Sequence, residues 1–271
     1  MAGRFYPADP RQLADIVDAL LDAVPVPDGD VLAPAYVVPH AGYQYSGSTA
    51  AHVYARLRRH ADEIAQVVLL GPSHHVPMAG CAVPAVAGWA TPLGQAPLDL
   101  VAIERLIRDG HAALDDGPHA VEHALEVQLP FLQRALTSPD GPGVPTVPIA
   151  VGDTAADDVA GTLAAAWSPG TVVLCSTDLS HYLDLATTLA RDARTVRAVL
   201  ELAPERIGPR DACGVFALRG VVTWADRAGL RPLPLHQATS AEVSGDPSRV
   251  VGYAAISFGR PEVAGVAGST G

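Results

Sequence analysis

The sequence contains no lysine: its 18 basic residues are all arginine, against 29 acidic residues, and the net charge is −11. Without lysine, no Schiff base can form with a carbonyl substrate and no Walker-type phosphate loop can be completed. Neutralisation of phosphates by Lys and Arg supplies most nucleic-acid affinity, and aromatic residues that could stack on bases make up only 5% of the chain. We therefore expect no nucleic-acid partner.

Cysteine is also scarce, and long apolar runs are missing. The three cysteines are widely spaced and form no CxxC pair, which is typical of a reducing compartment. No stretch approaches the roughly 18 uninterrupted apolar residues of a membrane span, and the first residues lack the layout of a secretion signal. The sequence therefore predicts a cytoplasmic protein that does not contact membranes.

Short apolar segments alternate with segments of helical periodicity, which is typical of an α/β fold. Strands are predicted at 31–38, 66–70, 144–151, 171–175, 233–238 and 250–258. Helices are predicted at 48–59, 98–109, 118–136, 154–167, 186–202 and 214–228. We expect one α/β domain over residues 1–260, with a central mixed, partly parallel sheet flanked by helices. Residues 261–271 have too little to bury and are predicted to form a disordered tail.

Three of the predicted strands end in loops that carry histidine. The first is followed by PHAGY with His40, the second by GPSHH with His74, and the third by STDLSH with Asp178 and His181. In open α/β sheets, ligands bind outside the carboxyl ends of the strands. If these strands are parallel neighbours, the four side chains converge at one edge of the sheet.

Converging histidines indicate either a divalent metal site or proton transfer. Two imidazoles and one anionic ligand form an open triad of the kind that activates dioxygen or water. The alternative is that each histidine is a hydrogen-bonded structural residue, as single histidines at strand ends commonly are. Because neighbours on extended chain point in opposite directions, one of His74 and His75 can face the site while the other packs behind it.

Cys213 is the candidate anionic ligand. It precedes a predicted helix, where the macrodipole favours the thiolate that binds metal or acts as a nucleophile. The alternative is a buried cysteine that behaves as a small apolar residue. Cys81 and Cys175 lie in apolar runs and are predicted to belong to the core.

A second pattern is HAVEH, from His119 to His123. On a continuous helix His119 and His123 would share a face, and HxxEH is the arrangement of inverzincin zinc peptidases. The match is short and no third zinc ligand is identifiable by spacing. The alternative is a structural helix start in which Glu122 meets the positive end of the dipole.

Seven motifs, in chain order, together resemble the Memo family. They are AGRFYP, PHAGYQYSG, GPSHH, EHALEVQLPFLQ, STDLSHY, the Cys213–Gly214 pair, and TS followed by SRVVGYAA. The family comprises the bacterial and archaeal proteins also labelled AmmeMemoRadiSam system protein B, with a eukaryotic cell-motility mediator as a relative. The composition favours a bacterial source within it. The resemblance extends from Ala2 to about Gly259.

The resemblance implies a fold like that of class III extradiol dioxygenases, which hold non-haem iron with two histidines and a carboxylate. It also implies metal binding by His40, His74 and Cys213, an acid/base role for His181, and a place for Asp178 in the same cavity. Four further residues are candidates for the pocket: Tyr43, His75, His123 and Glu126. Because a thiolate is softer than a carboxylate, iron(II) is the expected metal and copper is an alternative.

Two functions remain open from the sequence. One is a metal-dependent redox enzyme of the oxygenase or oxidase type, acting on a small molecule with dioxygen as a candidate co-substrate. The other is a binding protein without turnover, which uses the same pocket for a metal ion or a peptide. Fold resemblance alone does not assign a reaction.

Overall fold

The fold is described from a computed structural model that covers residues 1–136 and 143–261. The predicted disordered tail, apart from its first residue, lies outside the described residues. Among those that are described, no helix is both long and apolar enough to cross a membrane.

A nine-stranded mixed sheet forms the centre of the domain, and a separate two-stranded hairpin lies beside it. The order in the sheet is β10-β11-β1-β8-β2-β7-β3-β6, and β9 pairs with β11. The four central strands β1, β8, β2 and β7 are parallel, and β10 and β11 are antiparallel additions at one side. The strands are β1 Ala35–Val38, β2 Gln66–Pro72, β3 Cys81–Val83, β4 Gly88–Thr91, β5 Gly94–Pro97, β6 Ala113–Leu114, β7 Thr146–Val151, β8 Thr171–Ser176, β9 His181–Leu183, β10 Arg231–Thr239 and β11 Val250–Gly259.

Helices cover both faces of this sheet. They are α1 Pro10–Asp22, α2 Tyr43–Arg59, α3 Leu100–Arg108, α4 Gly117–Ala120, α5 Leu129–Leu136, α6 Ala156–Ala166, α7 Leu185–Leu200, α8 Val215–Arg227 and α9 Ala241–Ser244. Helices α1, α2 and α5 contribute to one apolar cluster, and α3, α6, α7 and α8 contribute to the other. The predicted single α/β domain with a mixed sheet is confirmed.

Alternation along the central strands explains why both faces are covered. In β1, Ala35 and Val37 belong to one apolar cluster, while Tyr36 and Val38 belong to the other. Successive side chains of a strand point to opposite faces, so a strand that is apolar at every position needs helices on both sides. Cys175 of β8 and Cys81 of β3 are buried in the first of these clusters, as predicted.

Strand order decides where the functional loops meet. Strand β8 lies directly between β1 and β2, and all three run in the same direction. The loops that follow them carry His40, His74 and Asp178, so these residues emerge side by side at the carboxyl edge of the sheet. The observed strand order is therefore the one that the predicted convergence of these side chains requires.

The predicted continuous helix over 118–136 is wrong. Helix α4 ends at Ala120, and after an irregular stretch a 3-10 turn at Glu126–Gln128 leads into α5. Two local causes interrupt the helix. The Glu122 carboxylate accepts the backbone N–H groups of His123 and Ala124, which offers them an alternative to helical bonding. Pro130 has no N–H to donate and suits only the first turn of a helix, where α5 places it.

Candidate metal centre

His40 is the buried member of the site. It follows β1 with only 2% of its surface exposed, and its backbone N–H donates to Asp178 Oδ1 at 2.7 Å. Burial lowers the pKa of His40 to about 4; the Asp178 charge opposes this shift, and nearby His74 and His123 add to it. The imidazole is therefore neutral at pH 7, which is the form that binds metal ions.

Ser176 determines which nitrogen of His40 is available. Its hydroxyl proton is donated to the carbonyl oxygen of Ala124 at 2.6 Å. Ser176 Oγ must then accept from its other two partners, His40 Nδ1 and Gln128 Nε2, each at 2.9 Å. The proton of His40 consequently lies on Nδ1, and the lone pair of Nε2 is left for a metal ion.

Replacing Ser176 by alanine is expected to destabilise the protein by about 1–3 kcal/mol, because the buried donors of His40 and Gln128 lose their acceptor. Urea unfolding of the metal-free protein measures this change. The matched control is Ser257→Ala, which removes a buried strand serine whose hydroxyl donates to the Leu233 carbonyl at a long 3.4 Å. Equal midpoints for the two variants would contradict the assigned role of Ser176.

Glu122 orients the other two imidazoles. Its Oε1 atom lies 2.9 Å from Nδ1 of His74 and 3.1 Å from Nδ1 of His123. Backbone N–H groups also donate to it: His74 to Oε2 at 2.6 Å, and His123 and Ala124 to Oε1 at 2.8 and 2.9 Å. Burial by itself would raise the pKa of Glu122, but these hydrogen bonds outweigh burial and lower it well below its usual range. Metal-binding imidazoles commonly donate their second ring N–H to a carboxylate. Here that contact uses Nδ1 of His74 and of His123, so Nε2 of each ring is available for the ion.

The three imidazoles converge on one point. A ligand nitrogen of His40, of His74 and of His123 can be chosen so that all three lie within 4.8 Å of one another. The ring of His40 stands edge-on to the other two, with centroids 5.3 Å away in each case, and the rings of His74 and His123 stack at 4.9 Å. Nitrogens bound to one ion at ~2.1 Å lie at most about 4 Å apart, so small movements suffice. The cluster can hold a transition-metal ion, for which imidazole is a suitable ligand.

Cys213 lies beside this cluster. Its Sγ atom is 3.2 Å from His40 Nε2 and accepts the backbone N–H of Asp178 at 3.3 Å. The expected thiolate is wrong for the metal-free protein: burial, and then the charge of Asp178, raise the pKa of the Cys213 thiol to about 12. These effects outweigh the nearby start of α8. A bound cation would reverse that balance, since a coordinating thiol is deprotonated.

Gly214 allows Cys213 to approach His40. A Cβ at this position would lie 2.9 Å from both Cβ and Oγ1 of Thr177, closer than real Cβ contacts. The backbone N–H of Gly214 also donates to Thr177 Oγ1 at 2.9 Å. Packing against the loop that follows β8 therefore requires glycine after Cys213.

That loop also carries the two residues for which the resemblance implied chemistry. Asp178 is buried, and its carboxylate accepts the His40 backbone N–H, so its contacts are those of a residue that holds the loops together. His181 begins β9, where its Nδ1 lies 2.8 Å from the carbonyl oxygen of Leu179. Because a carbonyl can only accept, Nδ1 carries a proton and Nε2 can take one up. His181 is separate from the three-imidazole cluster, and its acid/base role stays a prediction.

The four candidate pocket residues lie at different depths. Tyr43 packs against Phe131 and donates its buried hydroxyl to the Val127 carbonyl at 2.7 Å, so it supports the core. Glu126 accepts the Tyr6 hydroxyl at 2.6 Å. His123 belongs to the imidazole cluster. His75 is exposed, with its ring centroid 6.2 Å from that of His123.

The HxxEH pattern does not form a helical zinc site. Because α4 ends between them, His119 and His123 do not share a helix face, and Nε2 of His119 contacts the Ala82 carbonyl oxygen at 3.1 Å. Glu122 and His123 belong instead to the imidazole cluster.

The sequence reasoning gave Glu122 a different role and missed three other residues that shape the cluster. Glu122 and Ser176 fix the imidazole nitrogens, Gln128 supports Ser176, and the Phe5 ring stacks on His123 with centroids 4.4 Å apart. All four lie within the motifs that carry the resemblance. Their roles depend on side-chain directions that spacing along the chain does not reveal.

The fold and the cluster define an α/β protein in which two strand-end loops, the segment between α4 and α5, and the residues before α8 bring three histidines and a cysteine together in a candidate metal site. The chain belongs to the Memo family, because the family model described as Memo-like protein matches residues 1–257.

Named relatives align over nearly their full lengths. The MEMO1 family protein MK0963 of Methanopyrus kandleri is 35% identical, over 96% of this chain and 98% of the relative. The MEMO1 family protein Ta0237 of Thermoplasma acidophilum is 31% identical, over 94% and 96%. The MEMO1 family protein TRQ2_0860 of Thermotoga sp. is 32% identical, over 93% and 96%. Archaea are prominent among the relatives, so a bacterial source stays a prediction.

Proposed function

We propose that this protein is a metal-dependent redox enzyme of the oxygenase or oxidase type that acts on a small molecule in the cytoplasm. The observation that carries the proposal is the convergence of three imidazoles and one thiol at the carboxyl edge of the sheet. Imidazole and thiolate suit iron and copper, whereas magnesium and calcium need oxygen ligands. We propose iron(II) as the metal, with copper as the alternative.

The chain's own residues would divide the work as follows. His40, His74 and Cys213 would hold the ion, with His123 as a further donor. Iron(II) or copper, when bound, would supply one-electron chemistry with dioxygen. Side-chain exposure of 25% for His74 leaves a solvent-facing side from which a substrate can reach the cluster.

His181 is proposed to move the protons of the reaction. Its Nδ1–H is held by the Leu179 carbonyl, so the ring has a fixed orientation and a basic Nε2. Strand β9 places His181 opposite Val251 in β11, at the same edge of the sheet as the end of β1.

One observation favours a second candidate function, metal binding without turnover. Three imidazoles and a thiolate amount to four donors, which would complete a tetrahedral site, and structural metal sites are closed in this way. A catalytic site keeps one position open. In this second case the protein would bind a metal ion, or a peptide at the same pocket, and transform nothing.

Metal analysis of the purified protein tests the site. On the order of one iron or copper ion per chain is expected, as for a single closed or open site. His40→Ala and Cys213→Ala are expected to lose most of it, while His236→Ala, which changes a histidine on β10, keeps it. Unchanged metal content in His40→Ala and Cys213→Ala would end the assignment.

Dioxygen uptake separates the two functions. Protein loaded with iron(II) or copper is supplied with catechols, thiols and amines, and oxygen consumption is followed with an electrode. Consumption that depends on one substrate class, and falls in His181→Gln without loss of metal, supports the enzyme. Tight binding of copper(I) or of a peptide, with no dioxygen consumption in the presence of any of these compounds, supports the binding protein.

A further inference from the structure

A cavity of about 520 Å³ lies between strand β4 and helix α4. Glu122 forms part of its wall, whereas His40, His74 and His123 are not among the described residues that line it. Pockets that bind small molecules commonly have volumes of about 300–1,000 Å³. The cavity is therefore large enough for a small molecule, and Glu122 is its link to the imidazole cluster.

Most of the wall of this cavity is apolar or aromatic. Trp89 of β4 and His119 of α4 contribute rings whose centroids are 5.7 Å apart. Pro84 and Leu125 are buried in the wall, and Val86 is 41% exposed, so it lies at the opening. A wall of this kind binds the apolar or aromatic body of a ligand, while a few polar groups fix its orientation.

His119 contributes a neutral ring to the wall. Its Nε2 lies 3.1 Å from the Ala82 carbonyl oxygen, and because a carbonyl can only accept, Nε2 carries the proton. Burial lowers the pKa of His119, which disfavours a second proton on the ring. The histidine of the HxxEH pattern that the metal cluster does not use therefore adds no positive charge to the cavity.

The charged side chains of the wall, within the part of the chain that the structure describes, are all acidic. They are Asp116, Glu122 and Glu126. Hydrogen bonds lower the pKa of Glu122 well below its usual range, so this carboxyl group is ionised. The Met1 ammonium lies 2.7 Å from Glu126 Oε1 and offsets one of the three charges, which leaves the wall negative. A cleft lined by one sign of charge attracts a ligand of the opposite sign.

The acidic side chains are too dispersed to hold a metal ion. A metal ion needs three or four ligand atoms around one point. Asp116 and Glu126 belong to neither of the two groups of described ligand atoms that lie within 4.8 Å of one another. Asp116 is exposed and is held at the opening, where its Oδ1 accepts the backbone N–H of Ala85 at 2.8 Å. An organic ammonium ion needs only a carboxylate and an aromatic face, and this wall offers both.

We propose that this cavity binds a small organic ammonium ion, with its apolar body against Trp89 and its charged nitrogen toward Asp116 and Glu126. Tryptophan provides the best aromatic face for a cation, and hydrogen bonds from an ammonium group to a carboxylate are strengthened by charge. The site goes beyond the proposed metal-dependent function and needs no bound metal. Glu122 is the residue that the cavity shares with the imidazole cluster.

Calorimetric titration of the metal-free full-length chain with 2-phenylethylamine at pH 7 tests the site. Saturable binding of this ammonium ion is expected. The neutral 2-phenylethanol has nearly the same size and is expected to bind about tenfold more weakly, because it lacks the charge that the ring and the carboxylates recognise. The anionic 3-phenylpropionate is expected to bind more weakly still, since the acidic wall repels it.

Two pairs of variants locate the probe. Asp116→Asn removes a wall charge while its amide oxygen can still accept the Ala85 N–H, and it is expected to weaken amine binding about two- to fivefold, as for an exposed ion pair. The matched control is Asp115→Asn, which removes a neighbouring charge that is not among the described lining residues and should leave binding unchanged. Trp89→Leu keeps an apolar side chain without the ring and is expected to cost about tenfold, whereas Trp89→Phe should retain most of the affinity.

Selectivity for the amine that depends on Asp116 and Trp89 supports the site. Equal affinities for the amine and the alcohol would show that the cavity does not select a cation, and equal losses in Asp116→Asn and Asp115→Asn would indicate general charge attraction. Unchanged binding in Trp89→Leu would place the probe elsewhere, and no binding of the amine by the wild type would refute the site. Because the titration uses metal-free protein, none of these results bears on the proposed metal-dependent function.

Discussion

Glu122→Gln is expected to lower the affinity of the imidazole cluster for Zn²⁺ or Co²⁺ by about 10- to 100-fold, the usual cost of changing an outer partner of a metal ligand. Glu122 Oε1 faces Nδ1 of His74, Nδ1 of His123 and two backbone N–H groups, and Oε2 faces one backbone N–H. Whichever way the amide of glutamine is placed, its NH₂ group meets at least one of these donors. With the NH₂ group at the Oε1 position, the two rings lose the acceptor that directs Nε2 toward the ion. With the NH₂ group at the Oε2 position, the His74 backbone N–H loses the acceptor that holds the loop of His74 in place.

Competition with a chromophoric chelator at pH 7 measures this affinity. The matched control is Glu126→Gln, four residues further along. Glu126 accepts the Tyr6 hydroxyl and the N-terminal ammonium of Met1 on the same oxygen, Oε1, so the amide oxygen of glutamine can take that place and keep both partners. Affinities of the two variants within about threefold of each other, when 10- to 100-fold is expected for an orienting partner, would show that Glu122 does not orient the cluster.

Gly252→Ala is expected to destabilise the protein by about 3 kcal/mol or more, at the upper end of overpacking in a core. A Cβ on residue 252 would overlap Oδ2 of Asp192, a buried carboxylate on α7 whose Oδ1 accepts the Ser180 N–H at 3.1 Å. Asp192 would have to leave this position, and the Ser180 N–H would lose its partner. Because Ser180 precedes His181, the loop after β8 would shift as well.

Urea unfolding measures the loss of stability, with Gly259→Ala as the control. Gly259 lies in the same strand, but a Cβ there meets no atom of the described residues within 4 Å. If the clash with Asp192 is the cause, Asp192→Ala should recover part of the loss when it is combined with Gly252→Ala, since contacting residues couple in double-mutant cycles. Strict additivity of the two changes would contradict this explanation.

The break before α5 shows where sequence reasoning failed. Apolar periodicity over 118–136 predicts a helix, and a helix would have placed His119 and His123 on one face. The side chain of Glu122 instead binds the backbone N–H groups that a helix would use, and Pro130 starts a new helix. This break is what frees His123 to turn toward His40 and His74. Pro130 is a local sequence signal that indicates the start of a new helix.

The Cys213 thiol shows a different limit. Its position before a helix favours a thiolate, and that much can be judged from the sequence. Burial and the nearby Asp178 charge act in the opposite sense and are stronger, so the pKa is raised to about 12. The net effect depends on how much water the folded chain removes from the sulfur, which no local pattern records.

By itself, the sequence determined the α/β class, the run of buried strands, the loops that carry His40, His74 and Asp178, and the Memo family to which the chain belongs. These features depend on local periodicity and on motifs, which are properties of neighbouring residues. The tertiary structure alone decided that β8 lies between β1 and β2, that His123 joins the cluster, and that Glu122 and Ser176 select the free imidazole nitrogens. Those depend on strand order and on side chains far apart in the chain, where hydrogen-bond geometry and burial act only after the sheet has assembled.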